Sequence, residues 1–164
     1  MPWEAQFASV SLRTLYQDYM PSVYRMAYSY LKNHHDSEDV VQEAFLRLAQ
    51  SGKRFQDKRQ VQAWLIVTAA NLSKDLLRRS SRKELPLEQA ERVAVPGQQI
   101  SSLQEAIQSL PNKYKTVIYL HYFEDYSIAE ISKLLHRPEN TVKTWLRRGR
   151  DCLRDSLGEE GGDF

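Results

Sequence analysis

Apolar residues recur every three or four positions through most of residues 12–79, and this spacing is typical of amphipathic helices. The stretch DSEDVVQEAFLRLAQ, residues 36–50, has one apolar side and one polar side when it is read as a helix. The apolar side consists of Val40, Val41, Ala44, Phe45 and Leu48, and the polar side includes Gln42, Glu43 and Arg47. Asp36 or Ser37 is expected to cap this helix. Alternation of period two persists nowhere, so the pattern predicts an all-helical fold without a sheet.

The helical pattern is lost over residues 81–100, where two prolines, a glycine and scattered charges predict a linker. It returns from residue 101 in shorter segments, of which the last ends near Leu157. The chain is therefore expected to contain two small helical domains, at residues 1–80 and 101–164, joined by a flexible linker. Each has a size at which a single core is only marginally stable, so stabilisation by a partner is plausible.

The last predicted helix contains NTVKTWLRRGRDCLR, residues 140–154, and is strongly two-sided. At 100° per residue the apolar side consists of Val142, Leu146, Gly149, Leu153 and Leu157, and the opposite side of Asn140, Lys143, Thr144, Arg147, Arg148, Asp151 and Arg154. Ser127 and Glu130 have capping-box spacing in the preceding helix, and Pro138 suits a first helical turn. This spacing is typical of a helix-turn-helix whose second helix enters the major groove of DNA. A solvated basic helix at the end of a bundle is the alternative interpretation.

Cationic residues are concentrated in two places, although the net charge of the chain is only +2. Residues 74–83 and residues 143–154 each carry a net charge of +4, which leaves −6 for the rest. In the first window Lys74 and Arg78 share a helical face with Asn71, below Trp64 and Phe55. Cations and aromatic rings in this arrangement are suited to single-stranded DNA. The frayed end of an ordinary helix is the competing interpretation.

The sequence favours a binding protein over an enzyme. The four histidines lack metal-ligand spacing, with one another or with Cys152, and neither a phosphate-binding glycine loop nor a nucleophile elbow is present. The acidic residues between Asp36 and Glu43 are explained by helix capping and a protein-binding face. We therefore expect no catalysis, no cofactor, no metal and no small-molecule substrate. A single cysteine, no secretory signal and no membrane-inserted span predict a cytoplasmic protein.

Four segments together resemble bacterial sigma factors of the extracytoplasmic-function (ECF) group, within the sigma-70 family. They are DSEDVVQEAFLRL, AWLIVTAANLSKDLLRR, LPNKYKTVIYLHYFEDYSIAEIS and NTVKTWLRRGRDCLR. The resemblance extends from about Leu12 to Leu157 in the family's order and spacing. It implies a promoter-specificity subunit that binds core RNA polymerase through the clamp helices of its largest subunit and through its flap. A sequestering anti-sigma factor is a further partner that the family implies.

The resemblance also implies roles for individual residues. The polymerase clamp would be contacted by Asp39, Gln42, Glu43 and Arg47. The melted minus-ten strand would be captured by Phe55 and Asn71 at a base pocket, with Lys74 and Arg78 on the strand. The minus-thirty-five duplex would be read by Asn140, Lys143, Thr144 and Arg147, with Arg148 and Arg150 on phosphates. The promoter is therefore expected to be bound both as duplex and as single strand.

Three positions depart from the family's usual pattern. His136 and Trp145 stand where glycine and arginine are frequent, and Gly149 replaces the commoner alanine, at a cost in helix propensity of up to about 1 kcal/mol. The main alternative function is a helix-turn-helix regulator that acts without joining polymerase. It explains the C-terminal domain but leaves the acidic and basic helical faces of the N-terminal one unexplained. A nucleic-acid-processing enzyme is a more distant alternative.

Overall fold

A computed structural model of the protein describes residues 11–82 and 102–158, which form helices and short connections with no strand among them. The all-helical prediction is thus confirmed for these two ranges. They form two separate compact units, one from each range. The predicted linker at 81–100 falls mostly outside the described residues, although the helix before it continues through Arg82.

The first unit contains three helices, α1 (Leu12–Leu31), α2 (His34–Gln50) and α3 (Lys58–Arg82). Each packs against the other two. Each helix contributes one apolar stripe to a shared core that is mostly aliphatic and includes Tyr30 and Phe45. Its most deeply buried members include Leu15, Val23, Met26, Val41, Ala44, Leu48, Leu65, Ile66 and Ala69.

Helix α2 begins earlier than the sequence predicts. Its N-cap is Asn33, whose side-chain oxygen accepts a hydrogen bond from the Asp36 N–H at 3.0 Å. The prediction that Asp36 or Ser37 caps the helix is therefore wrong. Both lie within the first turn, where the buried Ser37 hydroxyl donates back to the Asn33 carbonyl at 2.6 Å. The sequence pattern does not indicate this first turn, because His34 and His35 are polar and do not extend the apolar periodicity.

The second unit contains four helices, α4 (Ser102–Gln108), α5 (Asn112–Ile118), α6 (Ile128–Leu135) and α7 (Glu139–Leu157). A single π-helical turn, Tyr119–Phe123, continues α5. Helix α7 packs against α4, α5 and α6, so it is the centre of this unit. The core is formed by residues that include Ile107, Val117, Ile118, Leu120, Ile131, Val142 and Leu153.

The turn between α6 and α7 has defined ends. The predicted capping box at the start of α6 is confirmed, with Ser127 and Glu130 each accepting from the other's backbone N–H at 3.0 Å. Helix α7 begins at Glu139, and Pro138 is its N-cap with an extended ψ of 148°. The expectation that Pro138 occupies the first turn is therefore wrong by one residue. The Pro138 carbonyl nevertheless accepts the first intrahelical bond, from Val142 N–H at 3.1 Å.

Gly149 brings α7 close to α5. A Cβ atom added at this buried position would lie 2.9 Å from Ile118 Cγ1, 3.1 Å from Ile118 Cδ1 and 3.4 Å from Tyr114 Cβ. Ile118 is itself fully buried, and its β-branched side chain has little freedom to move away. The glycine therefore permits the close approach of the two helices. A residue of low helix propensity is needed here because a larger side chain would not fit.

We expect Gly149→Ala to destabilise the protein, although alanine is the better helix former. The overpacking penalty of about 1–3 kcal/mol exceeds the propensity gain of up to about 1 kcal/mol. Thermal unfolding of the full chain measures the effect. In an Ile118→Ala background the same substitution should cost less, because the clashing atoms have been removed. A higher melting temperature for Gly149→Ala alone would contradict the packing argument.

Candidate nucleic-acid interfaces and partner surface

Helix α7 separates its buried and charged sides as the sequence predicts. Val142, Leu146, Gly149 and Leu153 are buried. The opposite side forms the recognition face, defined here as Asn140, Lys143, Thr144, Arg147 and Arg148. All five are exposed except Thr144, which is half-buried and donates its hydroxyl to the Asn140 carbonyl at 2.9 Å. Arg150 is half-buried and lies on the flank of the helix, about 60° from Arg147.

The tight turn before α7 depends on a residue with positive φ. His136 ends α6 with φ 54° and ψ 47°, a left-handed conformation that glycine adopts without strain. Its N–H and that of Arg137 both bond to the Ser132 carbonyl. The turn is therefore closed by backbone hydrogen bonds although a non-glycine residue occupies it.

A second candidate interface runs along α3. At 100° per residue Trp64, Val67, Asn71, Lys74 and Arg78 fall within about 80° of one another, and these five residues define the α3 stripe. All are exposed or half-buried. Phe55, in the segment before α3, packs its ring at 6.1 Å from that of Trp64 in an edge-on arrangement. The structure thus brings the predicted Phe55 to the same helix that carries Asn71.

Lys53 is a neighbour of this stripe that the sequence-based prediction missed. Its Nζ lies 5.8 Å from the centroid of the Trp64 ring, and its side chain is exposed. A cation two residues before Phe55 was visible in the sequence. Its position over the tryptophan depends on the fold of the segment between α2 and α3, which periodicity does not reveal.

Lys74 is the most perturbed cation of the α3 stripe. It is half-buried, with Nζ 5.9 Å from the centroid of the buried Tyr30 ring. Burial and then the neighbouring Arg78 lower the pKa of Lys74 from its ordinary value, and Asp75 acts in the opposite direction. Asp75 also forms an ion pair with Arg78. A phosphate beside Lys74 would add negative charge where burial and Arg78 disfavour the protonated amine.

We expect Lys74→Met to stabilise the free protein and to weaken its binding to single-stranded DNA. A lowered pKa means that folding disfavours the protonated lysine, so removing the charge raises the free energy of unfolding at pH 7. That gain should disappear above the ordinary lysine value of 10.5, where the folded and unfolded wild-type chains are both neutral at this position.

Loss of one strand-phosphate contact should lower the salt slope of single-strand binding by about 0.7 and the affinity roughly fivefold at 0.1 M salt. Denaturant unfolding at several pH values and salt titrations with a fluorescent oligonucleotide measure the two effects. Unchanged binding would remove Lys74 from the interface. A stability gain that persisted at high pH would show that the charge is not its cause.

The exposed side of α2 carries the residues predicted to bind a partner protein. Gln42 is exposed. Asp39 Oδ2 lies 3.5 Å from His35 Nε2, and Glu43 Oε1 accepts a hydrogen bond from Arg47 Nε at 3.1 Å. Both contacts join residues one turn apart on the surface, so they leave this side of α2 open to a partner.

Leu46 lies at the centre of this side and was missed from the sequence. Its side chain is 50% exposed, opposite the apolar side that contacts α1 and α3. Together with Asp39, Gln42, Glu43 and Arg47 it defines the α2 surface. An exposed leucine framed by polar residues is suited to the apolar centre of a protein interface. The signal was present in the sequence, because Leu46 falls outside the 40–41–44–45–48 pattern.

Among the described residues, no group of three or more histidine, cysteine, aspartate or glutamate residues could hold a metal ion. The one cysteine, Cys152, is half-buried and has a free thiol. Every helix in the two described ranges is too short or too polar to cross a bilayer.

Comparison with known proteins matches both units to one family. Residues 15–83 match the family described as Sigma-70 region 2, and residues 100–153 match Sigma-70, region 4. The chain is 34% identical to the ECF RNA polymerase sigma factor SigW of Bacillus subtilis, over 85% of this chain and 84% of that protein. It is 30% identical to the RNA polymerase sigma factor SigV of the same organism, over 94% and 96% of the two chains.

A solved structure supports the fold. The sigma factor RpoE of Bartonella quintana, crystallised with the anti-sigma factor NepR, matches with a TM-score of 0.68. The match covers 87% of this chain and 93% of that one at 20% sequence identity, so it is evidence of a shared fold. The two family matches, the full-length relatives and this fold agree, and the chain belongs to the ECF group of sigma-70 family RNA polymerase sigma factors.

Proposed function

We propose that this sigma factor acts through three separate surfaces on its two units. As a member of its family it binds core RNA polymerase and directs promoter-specific transcription initiation. The recognition face of α7 reads the minus-thirty-five duplex, the α3 stripe captures the opened minus-ten strand, and the α2 surface binds the polymerase clamp. The corresponding domains are residues 1–80 and 101–164, with 81–100 as a linker.

The observation that carries this proposal is the presence of two chemically different cationic surfaces on one chain. The recognition face presents exposed Lys143 and Arg147 with Asn140 and no aromatic ring. Such donors match the base-edge acceptors of a major groove. The α3 stripe combines cations with half-buried Trp64 and the nearby Phe55, which suits unpaired bases.

Strand capture requires a base to leave the helical stack. Unstacking costs a few kcal/mol, which contacts with the extruded base and its phosphates offset. Trp64 lies two helical turns before Asn71 on the same stripe, with Phe55 packed against its ring, and Lys74 and Arg78 follow Asn71. Asn71 can hydrogen-bond a base edge through its amide, and the two cations bind the strand backbone. These residues could therefore form a pocket for one base, next to a cationic surface that binds the backbone of the same strand.

The α2 surface suits a protein partner with basic residues. Its acidic Asp39 and Glu43 surround an exposed apolar centre at Leu46. Charges at the rim steer and orient the encounter, while the apolar centre supplies most of the affinity. The clamp helices of the largest polymerase subunit are the partner that we assign to it.

Further proposed properties are contact of the second unit with the polymerase flap, control by an anti-sigma factor, location in the cytoplasm, and no catalysis.

Gel filtration with core RNA polymerase tests the proposal against the alternative regulator. The chain should co-elute with core polymerase in a stoichiometric complex in the absence of DNA. Arg147→Ala should co-elute equally well, because the recognition face takes no part in polymerase binding. A chain that binds duplex DNA but elutes apart from polymerase would favour a regulator that acts alone.

A further inference from the structure

Arg137 has its backbone fixed at two points. In the turn between α6 and α7 its N–H donates to the Ser132 carbonyl at 3.1 Å. Its own carbonyl accepts from the Ser132 hydroxyl at 2.5 Å. The left-handed His136 on one side and Pro138 on the other restrict the chain further. The Cα of Arg137 is therefore held in a defined position relative to α7.

The side chain of Arg137 is held as well. Its guanidinium carbon lies 5.9 Å from the centroid of the Trp145 ring, within the range of cation–π contact. Trp145 is half-buried at the edge of the apolar side of α7. No carboxylate among the described residues pairs with Arg137, whose side chain is exposed. The Trp145 ring is thus a contact that can orient this exposed guanidinium.

The position of this pair extends the recognition face. Trp145 lies about 60° beyond Arg148 around α7, on the side nearest the turn. We propose that Arg137, held over the Trp145 ring, binds a DNA phosphate at this edge of the recognition face. An arginine is suited to this role because its planar group can stack on a ring and bind a phosphate with two parallel hydrogen bonds. Holding the group in place beforehand reduces the entropy lost on binding.

This inference rests on the proposed docking of α7 in duplex DNA and adds a contact that carries no sequence information. Arg137 positions the helix at the phosphate backbone, while the base-facing residues discriminate between sequences. Loss of Arg137 should therefore weaken binding to every duplex by the same factor. Loss of a base contact, in contrast, should change the ratio of the affinities for two duplexes of different sequence.

The test measures full-length chain on two 30-base-pair duplexes across a salt series. One duplex is a promoter fragment selected by the reconstituted polymerase, and the other has mixed sequence. Arg137→Ala should weaken binding to both by roughly five- to tenfold at 0.1 M salt and lower the salt slope by about 1. Trp145→Leu leaves the charge but removes the platform, so affinity should fall by about two- to threefold with the slope unchanged. Arg137→Lys should also retain the slope.

Lys113→Ala is the matched control. Lys113 is an exposed cation of the same unit, with Nζ 5.3 Å from the Tyr114 ring centroid, but it lies on α5 outside the helix-turn-helix. Its removal should change neither slope nor affinity. If Arg137→Ala lowers the melting temperature, Arg137→Gln, which keeps the length of the side chain, must still show the smaller slope.

Two results would overturn the inference, and they are distinguishable. An unchanged slope for Arg137→Ala, together with lost discrimination for Lys143→Ala, would remove Arg137 from the interface and leave the docking intact. If neither variant changed binding, α7 would not be the DNA-binding helix, and the proposed duplex readout would fail with it.

Discussion

Arg147→Ala should lower the preference of the protein for its promoter duplex over mixed-sequence DNA by about 1–3 kcal/mol, or roughly 5- to 150-fold. Arg147 is exposed, one turn after Lys143 and on the other side of α7 from the buried Val142 and Gly149. Because those residues pack into the second unit, the Arg147 side chain faces outward. It would therefore face the bases of a duplex whose major groove holds α7. A bidentate contact with a guanine edge is the commonest specific pairing of arginine, and alanine cannot replace it.

Arg148→Ala is the matched control for this prediction. It removes the same group from the next position on α7, on the side where a phosphate contact is expected. It should weaken binding to both duplexes equally and leave their ratio unchanged. Competition binding with both duplexes at fixed salt gives the ratio directly. If Arg147→Ala behaved as Arg148→Ala is expected to, Arg147 would be a phosphate contact without a role in sequence choice.

Leu46→Asp should weaken the complex with core RNA polymerase by at least roughly 10- to 150-fold, while the chain remains folded. Burial of a leucine side chain at an interface is worth about 1.5–3 kcal/mol, and an aspartate would also have to lose its hydration there. The side chain is 50% exposed and lies away from the core formed by α1, α2 and α3. We therefore expect little change in the melting temperature.

Gln17→Asp separates this effect from a general effect of charge. It adds the same carboxylate to an exposed position on α1 of the same unit, so the change in net charge is identical. Its affinity for core polymerase should equal that of the wild type, whereas Leu46→Asp should dissociate faster. Equal affinities for wild type and Leu46→Asp would move the polymerase contact away from the α2 surface.

Features that depend on periodicity could be predicted from the sequence. The apolar and cationic sides of α7 follow from the 3.6-residue period alone, as does the common face of Asn71, Lys74 and Arg78. The capping box at Ser127 has a sequence signature of its own, because its two partners stand three residues apart. These local patterns were sufficient for the fold class and for the candidate DNA-binding residues.

Features that depend on contacts between distant residues could not be predicted. Gly149 allows the close approach of α7 to α5, and this is evident only from the contact between Gly149 and Ile118. Likewise, Arg137 and Trp145 are eight positions apart, and their contact depends on the left-handed turn at His136. The Asn33 cap was missed for another reason, since the first turn of α2 is polar. Local pattern therefore indicated which surfaces matter, whereas tertiary packing determines how their side chains are held.

Transcription by reconstituted polymerase tests the central claim most directly. Core RNA polymerase is incubated with a pool of genomic fragments, with and without the chain, and the 5′ ends of the transcripts are mapped. We predict a set of start sites that depends on the added chain and that is reduced by both Leu46→Asp and Arg147→Ala. Identical start sites with and without the chain would contradict the account.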